Sequence, residues 1–215
     1  MFNMDLSKKI VIDTNLEEWL DSPSGGVKRI PLEREEAEAG HTTSLVEYKP
    51  GASFEKHFHP LGEEIFVLEG VFSDENGDYG PGSYIRNPPG SFHSPFSKEG
   101  CLIFVKLNQM DPTDSQKVVI NTEESEWRPG HGNLEVMPLY SFMTENVALV
   151  KWPKGERFIK HSHFGGEEIF VLKGEFIDEF GKYPKKTWIR SPHLSSHLPF
   201  VEEETIILVK TGHLA

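Results

Sequence analysis

Short apolar runs separated by turn residues occupy most of this chain. Two clear examples are EEIFVLEGVFSDE at residues 63–75 and TIILVK at residues 205–210, which are rich in Ile, Val and Phe. Glycine, proline, asparagine and aspartate recur between such runs at intervals of roughly ten residues, as expected for strands joined by tight turns. No segment shows the period of an amphipathic helix over a useful length. The pattern predicts an all-β protein built as a barrel or a sandwich.

The apolar runs occur twice. When the sequence is shifted by 104 residues, HFHPLGEEIFVLEG aligns with HSHFGGEEIFVLKG, and no gap is needed between residues 45–106 and 149–210. Such self-similarity indicates a duplicated folding unit. The polar, proline-containing stretch NQMDPTDSQK lies between the two copies and is typical of a linker. We therefore expect an N-terminal domain over residues 1–110 and a C-terminal domain over residues 111–215.

Acidic residues outnumber basic ones, 34 to 22, for a formal net charge of -12. This charge opposes binding to nucleic acids and anionic membranes, and no apolar run is long enough to span a bilayer. The one cysteine, Cys101, excludes an intramolecular disulfide and a cysteine metal cluster. We expect it to pack in a core, since Thr205 occupies its place in the second copy. These features predict a cytoplasmic protein with no nucleic-acid or membrane partner.

Histidines recur in a pattern that suits metal binding. His57 and His59 alternate with Phe58, so a strand would project both imidazoles from one face. A turn at Pro-Leu-Gly then lets the chain reverse, and Glu63 can return a carboxylate to the same point. His93 follows thirty residues after Glu63, beyond a proline-glycine turn. These four residues form the first candidate ligand set.

The second copy supplies His161, His163, Glu167 and His197 at the same spacings. A single His-x-His pair would be weak evidence, because exposed strands often carry one. Two four-residue sets in register favour metal binding. Three imidazoles and a carboxylate suit Zn, Fe, Mn or Ni better than Ca or Mg, which prefer oxygen ligands. We predict two divalent transition-metal ions per chain, with zinc as the first choice and iron, manganese or nickel as alternatives.

These residues also carry a family resemblance. Residues 51–70, GASFEKHFHPLGEEIFVLEG, fill every marked position of the first cupin motif, G-x5-H-x-H-x3-E-x6-G, and residues 155–174 fill it again. The stretches GPGSYIRNPPGSFH and YPKKTWIRSPHLSSH resemble the second cupin motif. The resemblance covers nearly the whole chain. It implies two tandem cupin barrels, the double-stranded β-helix or jelly-roll fold, in a bicupin.

More narrowly, the string GEEIFVLEG…F.DE.G.Y…IR.P..S.H.PF in each half resembles the ChrR-like cupins. That subgroup includes the C-terminal metal-binding domain of ChrR anti-sigma factors and iron-dependent dioxygenases that cleave carbon–carbon bonds in ketones. ChrR also has an N-terminal helical zinc module that binds the sigma factor. No such module is recognised in this sequence, so a sigma factor is not an expected partner.

Two functions remain open. If four protein ligands saturate a tetrahedral zinc ion, the site is closed and serves structure or sensing. If the ion has a larger coordination number, as with iron, manganese or nickel, open positions permit Lewis-acid or oxygenase chemistry. The first interpretation is a metal-binding double cupin with a sensing, regulatory or stress-related role. The alternative is an iron-dependent dioxygenase that cleaves a small diketone or hydroxyketone. A small-molecule ligand and a homodimer are further expectations.

Two arginines also recur in the repeat. Arg86 and Arg190 each lie seven residues before the fourth histidine of their copy. They could orient an anionic substrate, or they could form ion pairs with the repeated acids at residues 74–75 and 178–179. Ion pairing is the favoured interpretation, which makes these arginines structural.

Other polar residues near the ligands have plainer interpretations. Glu64 and Glu168 each follow a candidate ligand by one residue, so on a strand they face the opposite side and serve structure. Four further histidines have no counterpart in the other copy. We expect His193 either at the surface or beside the metal ligands in a supporting role, and the other three exposed to solvent: His41, His131 and His213.

Overall fold

The computed structural model describes residues 1–36 and 39–214. The first eleven strands are β1 (Ile10–Asp13), β2 (Leu20–Asp21), β3 (Val27–Arg34), β4 (Thr42–Tyr48), β5 (His57–His59), β6 (Glu63–Gly70), β7 (Phe72–Asp74), β8 (Gly77–Tyr79), β9 (Ser83–Asn87), β10 (Ser91–His93) and β11 (Cys101–Leu107). The other eleven are β12 (Val118–Asn121), β13 (Arg128–Pro129), β14 (Glu135–Phe142), β15 (Glu145–Trp152), β16 (His161–Ser162), β17 (Glu167–Lys173), β18 (Glu175–Asp178), β19 (Gly181–Pro184), β20 (Thr187–Ser191), β21 (Ser196–His197) and β22 (Thr205–Thr211).

Helical structure within these two described ranges is limited to one 3-10 turn, Thr122–Glu124. The predicted all-β class is therefore confirmed. In the part of the chain that the structure describes, no helix has the length and apolar character needed to cross a membrane.

The chain forms two compact units, and each unit is discontinuous in sequence. The first comprises Met1–Met4 and Glu18–Glu124, and the second comprises Asp5–Glu17 and Ser125–Ala215. The break after Met4 reflects strand pairing, because β1 is an edge strand on β20 of the second unit. Strand β12 is an edge strand on β9, which extends the first unit beyond residue 110. The predicted division of the sequence between residues 110 and 111 stays a prediction.

The first unit is built on a seven-stranded antiparallel sheet in the order β12-β9-β6-β11-β4-β3-β2. Two short antiparallel pairs, β5 with β10 and β7 with β8, complete it. Alternate residues of the large sheet, such as Ile65 and Ile103, pack with Phe72 and Tyr79 of the β7–β8 pair in one buried cluster. The core thus lies between the sheet and the short strands, which carry most of the candidate ligands.

The second unit has the same plan. Its seven-stranded sheet runs β1-β20-β17-β22-β15-β14-β13, with β16 paired to β21 and β18 paired to β19. Trp152, Ile169 and Phe176 are among the residues of its buried cluster. The duplication seen in the sequence is therefore a duplication of fold.

Cys101 packs in the first core, as predicted, with 6% of its surface exposed. Burial raises the pKa of its thiol to about 11, so the group stays protonated at neutral pH. A packing role follows.

Candidate metal centres

Strand pairing brings the first three histidines together. His57 and His59 lie two residues apart on β5, and His93 on β10 is the direct cross-strand partner of His57. All three side chains therefore project from the same face of this short ladder. Between β5 and β6, Gly62 adopts φ +76°, a conformation that favours glycine. A Cβ added at this position would also collide with the side chain of Met110. This tight turn places Glu63 at the start of β6, beside the histidines.

The first candidate centre consists of His57, His59, Glu63 and His93. One ligand atom from each lies within 4.8 Å of all the others. Glu63 Oε2 is 3.3 Å from His93 Nε2 and 3.6 Å from His59 Nε2. The structure thus brings together the four residues that the sequence singles out.

Hydrogen bonds orient the imidazoles in this centre. His57 Nδ1 lies 2.9 Å from the carbonyl oxygen of Glu55, and His93 Nδ1 lies 3.3 Å from Asp74 Oδ2. A carbonyl or carboxylate oxygen can only accept, so Nδ1 carries the proton in both rings and Nε2 presents its lone pair to the centre. Burial alone would raise the pKa of Asp74, but hydrogen bonds from Asn76 and His93 lower it. The aspartate is therefore an ionised acceptor, the usual support of a metal-ligating histidine.

The donor atoms of the first centre fit a divalent transition ion. His59 Nε2 and His93 Nε2 are buried and have no hydrogen-bond partner among the described residues, which is costly unless something binds them. Burial also lowers the pKa of His59, which keeps its imidazole neutral, as a ligand must be. Glu63 is oriented in turn, because Asn87 Nδ2 donates a 2.9 Å hydrogen bond to its Oε2.

The second candidate centre is similar but smaller. His161, His163 and His197 form a group with ligand atoms within 4.8 Å of one another, and Glu167 is not part of it. The Glu167 carboxylate does contact two of these histidines, at 3.4 Å from His163 Nε2 and 3.6 Å from His197 Nε2. His161 Nδ1 lies 2.9 Å from the carbonyl oxygen of Ile159, which matches the orientation of the first histidine in the other unit.

Electrostatics in the second centre reflect its burial. Burial, reinforced by the neighbouring His161 and His197, lowers the pKa of His163 to about 4. Burial raises the pKa of Glu167 to about 7. Burial would also raise the pKa of Asp178, but hydrogen bonds with His197, Tyr183 and Lys9 hold it well below its usual value. In the ion-free protein at mildly acidic pH, the second centre therefore contains a neutral imidazole and a protonated Glu167.

A cavity of about 830 Å³ adjoins the first centre, and His57, His59 and Glu63 are part of its wall. Apolar side chains from the large sheet and from Phe54 cover one region, while hydroxyl groups and two arginines line another. The lining residues outside the candidate ligands include Val27, Arg29, Arg34, Thr42, Ser44, Val46, Tyr48, Phe54, Ile103, Val105 and Leu107. The size suits a small organic molecule.

Arg86 is structural, as favoured, but its partners differ from those expected. Arg86 Nη1 donates to Glu64 Oε2 at 2.9 Å, and Nη2 donates to Asp114 Oδ2 at 2.7 Å. Asp74, the partner suggested by the sequence, contacts His93 instead. The cause is strand alternation, since Arg86 and Glu64 are directly paired on β9 and β6 and share the face turned away from the centre. The expectation that Glu64 faces away from the metal agrees with this geometry.

The second arginine also lacks the expected contact. Arg190 Nη2 donates to the carbonyl oxygen of Asp5 at 2.9 Å, because β1 lies beside β20. Asp178 bonds instead to Lys9, at 3.0 Å. Glu168 faces the same side as Arg190 and accepts from Trp188 Nε1 at 3.2 Å.

The prediction that the four unmatched histidines lie at the surface is wrong for His213 and half wrong for His41. The His213 side chain is only 6% exposed and contacts Glu168 Oε1 at 2.9 Å. The His41 side chain is 21% exposed and contacts Glu33 Oε1 at 2.8 Å. Each has a buried acidic partner on a neighbouring strand: Glu33 on β3 is eight residues from His41, and Glu168 on β17 is 45 residues from His213. His131 and His193 are exposed, as expected.

Sequence reasoning missed two kinds of residue near the centres. Asp74 and Asp178 recur in the repeat, a signal that could identify them, but the sequence also offers the recurrent arginines as their partners. Arg29 and Arg34 precede the ungapped part of the repeat, so no comparison of the copies points to them.

Two similar β units, each presenting converging histidines beside a carboxylate, define a bicupin with a candidate metal site in each barrel. The sequence profile of the ChrR Cupin-like domain matches residues 7–111 and again residues 115–215. The chain therefore belongs to the ChrR Cupin-like family, and the predicted tandem cupin fold is confirmed. Curated proteins include no significant sequence match.

Solved structures support the same fold at low sequence identity. A protein from Nostoc punctiforme described as a candidate dioxygenase aligns over 97% of this chain and 84% of its own, with 16% identity and a TM-score of 0.80. The protein Ylba from E. coli aligns over 98% and 93%, with 16% identity and a TM-score of 0.74. A Bacillus subtilis oxalate decarboxylase variant aligns over 94% and 76%, with 14% identity and a TM-score of 0.65. At such identities the likeness concerns the fold.

Proposed function

We propose that each barrel binds one divalent transition-metal ion and that the ion of the first barrel acts on a small oxygen-bearing ligand. The observation that carries this proposal is the first centre itself. Two buried Nε2 atoms that have no hydrogen-bond partner among the described residues converge with Glu63 beside an open cavity. The ligands would be His57, His59, Glu63 and His93 in the first barrel. In the second they would be His161, His163 and His197, with Glu167 joining once ionised.

A bound ion of this class would polarise a ligand oxygen or, as iron, support reaction with dioxygen. The chain's own residues do the positioning. Asp74 and the carbonyl of Glu55 keep the imidazoles turned toward the centre, and Asn87 holds the carboxylate. Apolar residues of the cavity wall exclude water from part of a bound ligand. The reaction to test first is iron-dependent oxidative cleavage of a small diketone or hydroxyketone.

A metal-dependent sensing role is the second candidate. The chain's membership of the ChrR Cupin-like family supports this candidate, since the ChrR-like cupins that the sequence resembles include the metal-binding domain of ChrR anti-sigma factors. In this case a zinc ion with four protein ligands would be closed to substrate.

Elemental analysis and oxygen uptake separate the two candidates. The protein would be purified without a nickel column, analysed for bound metals, and assayed with an oxygen electrode on a panel of ketones. We expect about two equivalents of metal per chain and metal-dependent oxygen uptake with at least one ketone. Stoichiometric zinc with no uptake in protein reloaded with iron would reject the oxygenase and leave the sensing role. A chain that binds no transition metal would contradict both.

A further inference from the structure

The cavity of the first barrel has a positively charged wall away from its candidate metal centre. Arg29 and Arg34 on β3 line this cavity, whereas Glu63 enters it from β6. The other charged lining residues, Glu55 and Lys56, are exposed at the chain segment that leads into β5. Among the lining residues that the structure describes, three cationic side chains thus stand against two carboxylates, even before the charge of a metal ion is added. This balance favours an anionic ligand.

Cross-strand pairing places one arginine directly opposite the metal centre. Arg34 pairs with Thr42, Thr42 pairs with Leu107, and Leu107 pairs with Glu63. Paired residues project from the same face of a sheet, so these four form one row across the cavity wall. The Cα atoms at the two ends of the row, those of Arg34 and Glu63, are three strand spacings apart, which is about 14 Å. Arg34 Nε donates to the carbonyl oxygen of Glu36 at 2.7 Å, and the Arg34 side chain also lines the cavity. The space between the two ends of the row suits a small molecule with a polar group at each end.

Ser44 gives an independent indication of a ligand at the arginine end. Its side chain lines the cavity and is 2% exposed, yet its Oγ has no hydrogen-bond partner in the described part of the chain. Such a group is costly to bury unless a ligand or water satisfies it. Ser44 lies on β4 between Thr42 and Val46. These neighbours are the cross-strand partners of Arg34 and Arg29, so Ser44 lies on the same face of the sheet as both arginines and between their positions along β4.

The second barrel lacks this polar wall. Strand β14 pairs with β15 as β3 pairs with β4, which identifies the equivalent positions. The replacements are Arg29 by Val136, Arg34 by Ser141 and Ser44 by Ala148. Both positive charges and the orphaned hydroxyl are therefore confined to the first barrel, although both barrels keep their histidines.

We propose that the first barrel, and not the second, binds a small ligand with a carboxylate at one end and a chelating pair of oxygens at the other. Arg29, Arg34 and Ser44 hold the carboxylate, because guanidinium groups match carboxylates in two-point hydrogen bonds. The chelating end meets the candidate metal centre, and this half of the inference rests on the proposed function. A 2-oxo acid with a second carboxylate has the required chemistry.

Titration calorimetry with two matched probes tests the carboxylate site. 2-Oxoglutarate and 2-oxopentanoate share the chelating end and the chain length, but only the first has a distal carboxylate. We expect metal-loaded protein to bind 2-oxoglutarate roughly ten- to hundredfold more tightly, the range for a charge-assisted hydrogen-bonded contact. Arg29→Val with Arg34→Ser should abolish the preference without changing the metal content. Ser44→Ala should reduce it, and Arg29→Lys with Arg34→Lys should retain part of it.

A matched control changes the corresponding wall of the second barrel, with Val136→Ala and Ser141→Ala, and should leave the preference intact. The inference is overturned if wild-type protein shows no preference for 2-oxoglutarate. It is also overturned if the preference survives in correctly folded, metal-loaded protein that carries Arg29→Val and Arg34→Ser. Failure of the proposed function is a different result: the wild-type chain would then bind no metal. In that event, a 2-oxoglutarate preference of the metal-free protein that is lost in the double variant would still support the arginine site.

Discussion

The two barrels keep the same histidines but support them differently. In the first, Asn87 donates a hydrogen bond to Glu63, and the carboxylate belongs to the four-residue centre. In the second, Ser191 stands at the position of Asn87, and burial raises the pKa of Glu167 to about 7. The first centre therefore offers a carboxylate oriented by an amide donor, whereas in the second centre burial favours the protonated form of Glu167.

The walls differ more than the centres. Arg29 and Arg34 line the first cavity, and valine and serine take their places in the second barrel. Duplication has thus preserved the candidate ligands in both copies while the surrounding residues diverged. The comparison predicts unequal tasks for the two candidate metal centres, and variants of each barrel test that difference.

The largest expected effect is the loss of one metal site. His59→Ala removes a buried imidazole from the first centre and should reduce bound metal from two equivalents per chain to one. His163→Ala should do the same for the second centre. Elemental analysis of both variants and of the double variant measures this directly. If either single variant lost both ions, the two centres would not be independent.

A second large effect concerns stability of the first unit. Arg86 is 1% exposed and forms ion pairs with Glu64 and Asp114. Arg86→Met leaves two buried carboxylates without this partner and should lower the free energy of unfolding of the first unit by about 3–5 kcal/mol. Hydrogen exchange of strand β9 measures the change. Exchange of β20 in the second unit serves as the control, and equal loss of protection in both strands would contradict a local effect.

A smaller effect is expected from the support of the ligands. Asp74→Asn removes the charge that orients His93 and should weaken metal binding in the first barrel by roughly 10- to 100-fold. The variant is best studied together with His163→Ala, so that competition with a chelator reports one site.

The counterpart, Asp178→Asn in a His59→Ala background, tests the second site in the same way. Unchanged affinity in both backgrounds would show that the aspartates do not support the ligands.

The smallest effect distinguishes the second centre by its pH dependence. In the metal-free folded protein the pKa of His163 is lowered to about 4 from its ordinary value of 6.5. The contribution of this group to the free energy of unfolding therefore decreases as the pH falls below 6.5. The pKa of Glu167 is raised to about 7 from its ordinary value of 4.5. The contribution of this group to the free energy of unfolding therefore decreases as the pH rises above 4.5. Between pH 4.5 and 6.5 the two contributions oppose each other.

Glu167→Gln removes one of these opposing groups. The free energy of unfolding of the metal-free variant should therefore fall more steeply than that of the wild type on acidification from pH 6.5 to 4.5. The difference between the two slopes corresponds to up to one additional proton taken up on unfolding. Urea unfolding of the metal-free proteins at several pH values measures the slopes. Parallel slopes would show that Glu167 is already ionised in the folded protein.

Much of the architecture could be predicted from local sequence. Strand alternation places His57 and His59 on one face independently of the rest of the chain. The glycine turn before Glu63 likewise depends only on neighbouring residues. The repeat at a spacing of 104 residues then predicts two equal units. Such features depend on residues a few positions apart, whose geometry follows from the two-residue period of a strand.

Contacts between distant strands could not be predicted in this way. Arg86 pairs with Glu64 and Asp114 rather than with Asp74, and His213 is buried against Glu168. Each of these pairs depends on which strands lie side by side and in which register, and composition does not carry that information.

By itself, the sequence determined the strand-rich fold, its duplication and the identity of the candidate ligands. Only the tertiary structure decided what surrounds them. Arg29 and Arg34 are an odd number of residues apart, so a regular strand would turn them to opposite faces. The shift in the β3–β4 register between Pro31 and Glu33 inserts one residue and returns both arginines to the cavity face. That irregularity arises from pairing with β4, and therefore appears only when the chain is folded.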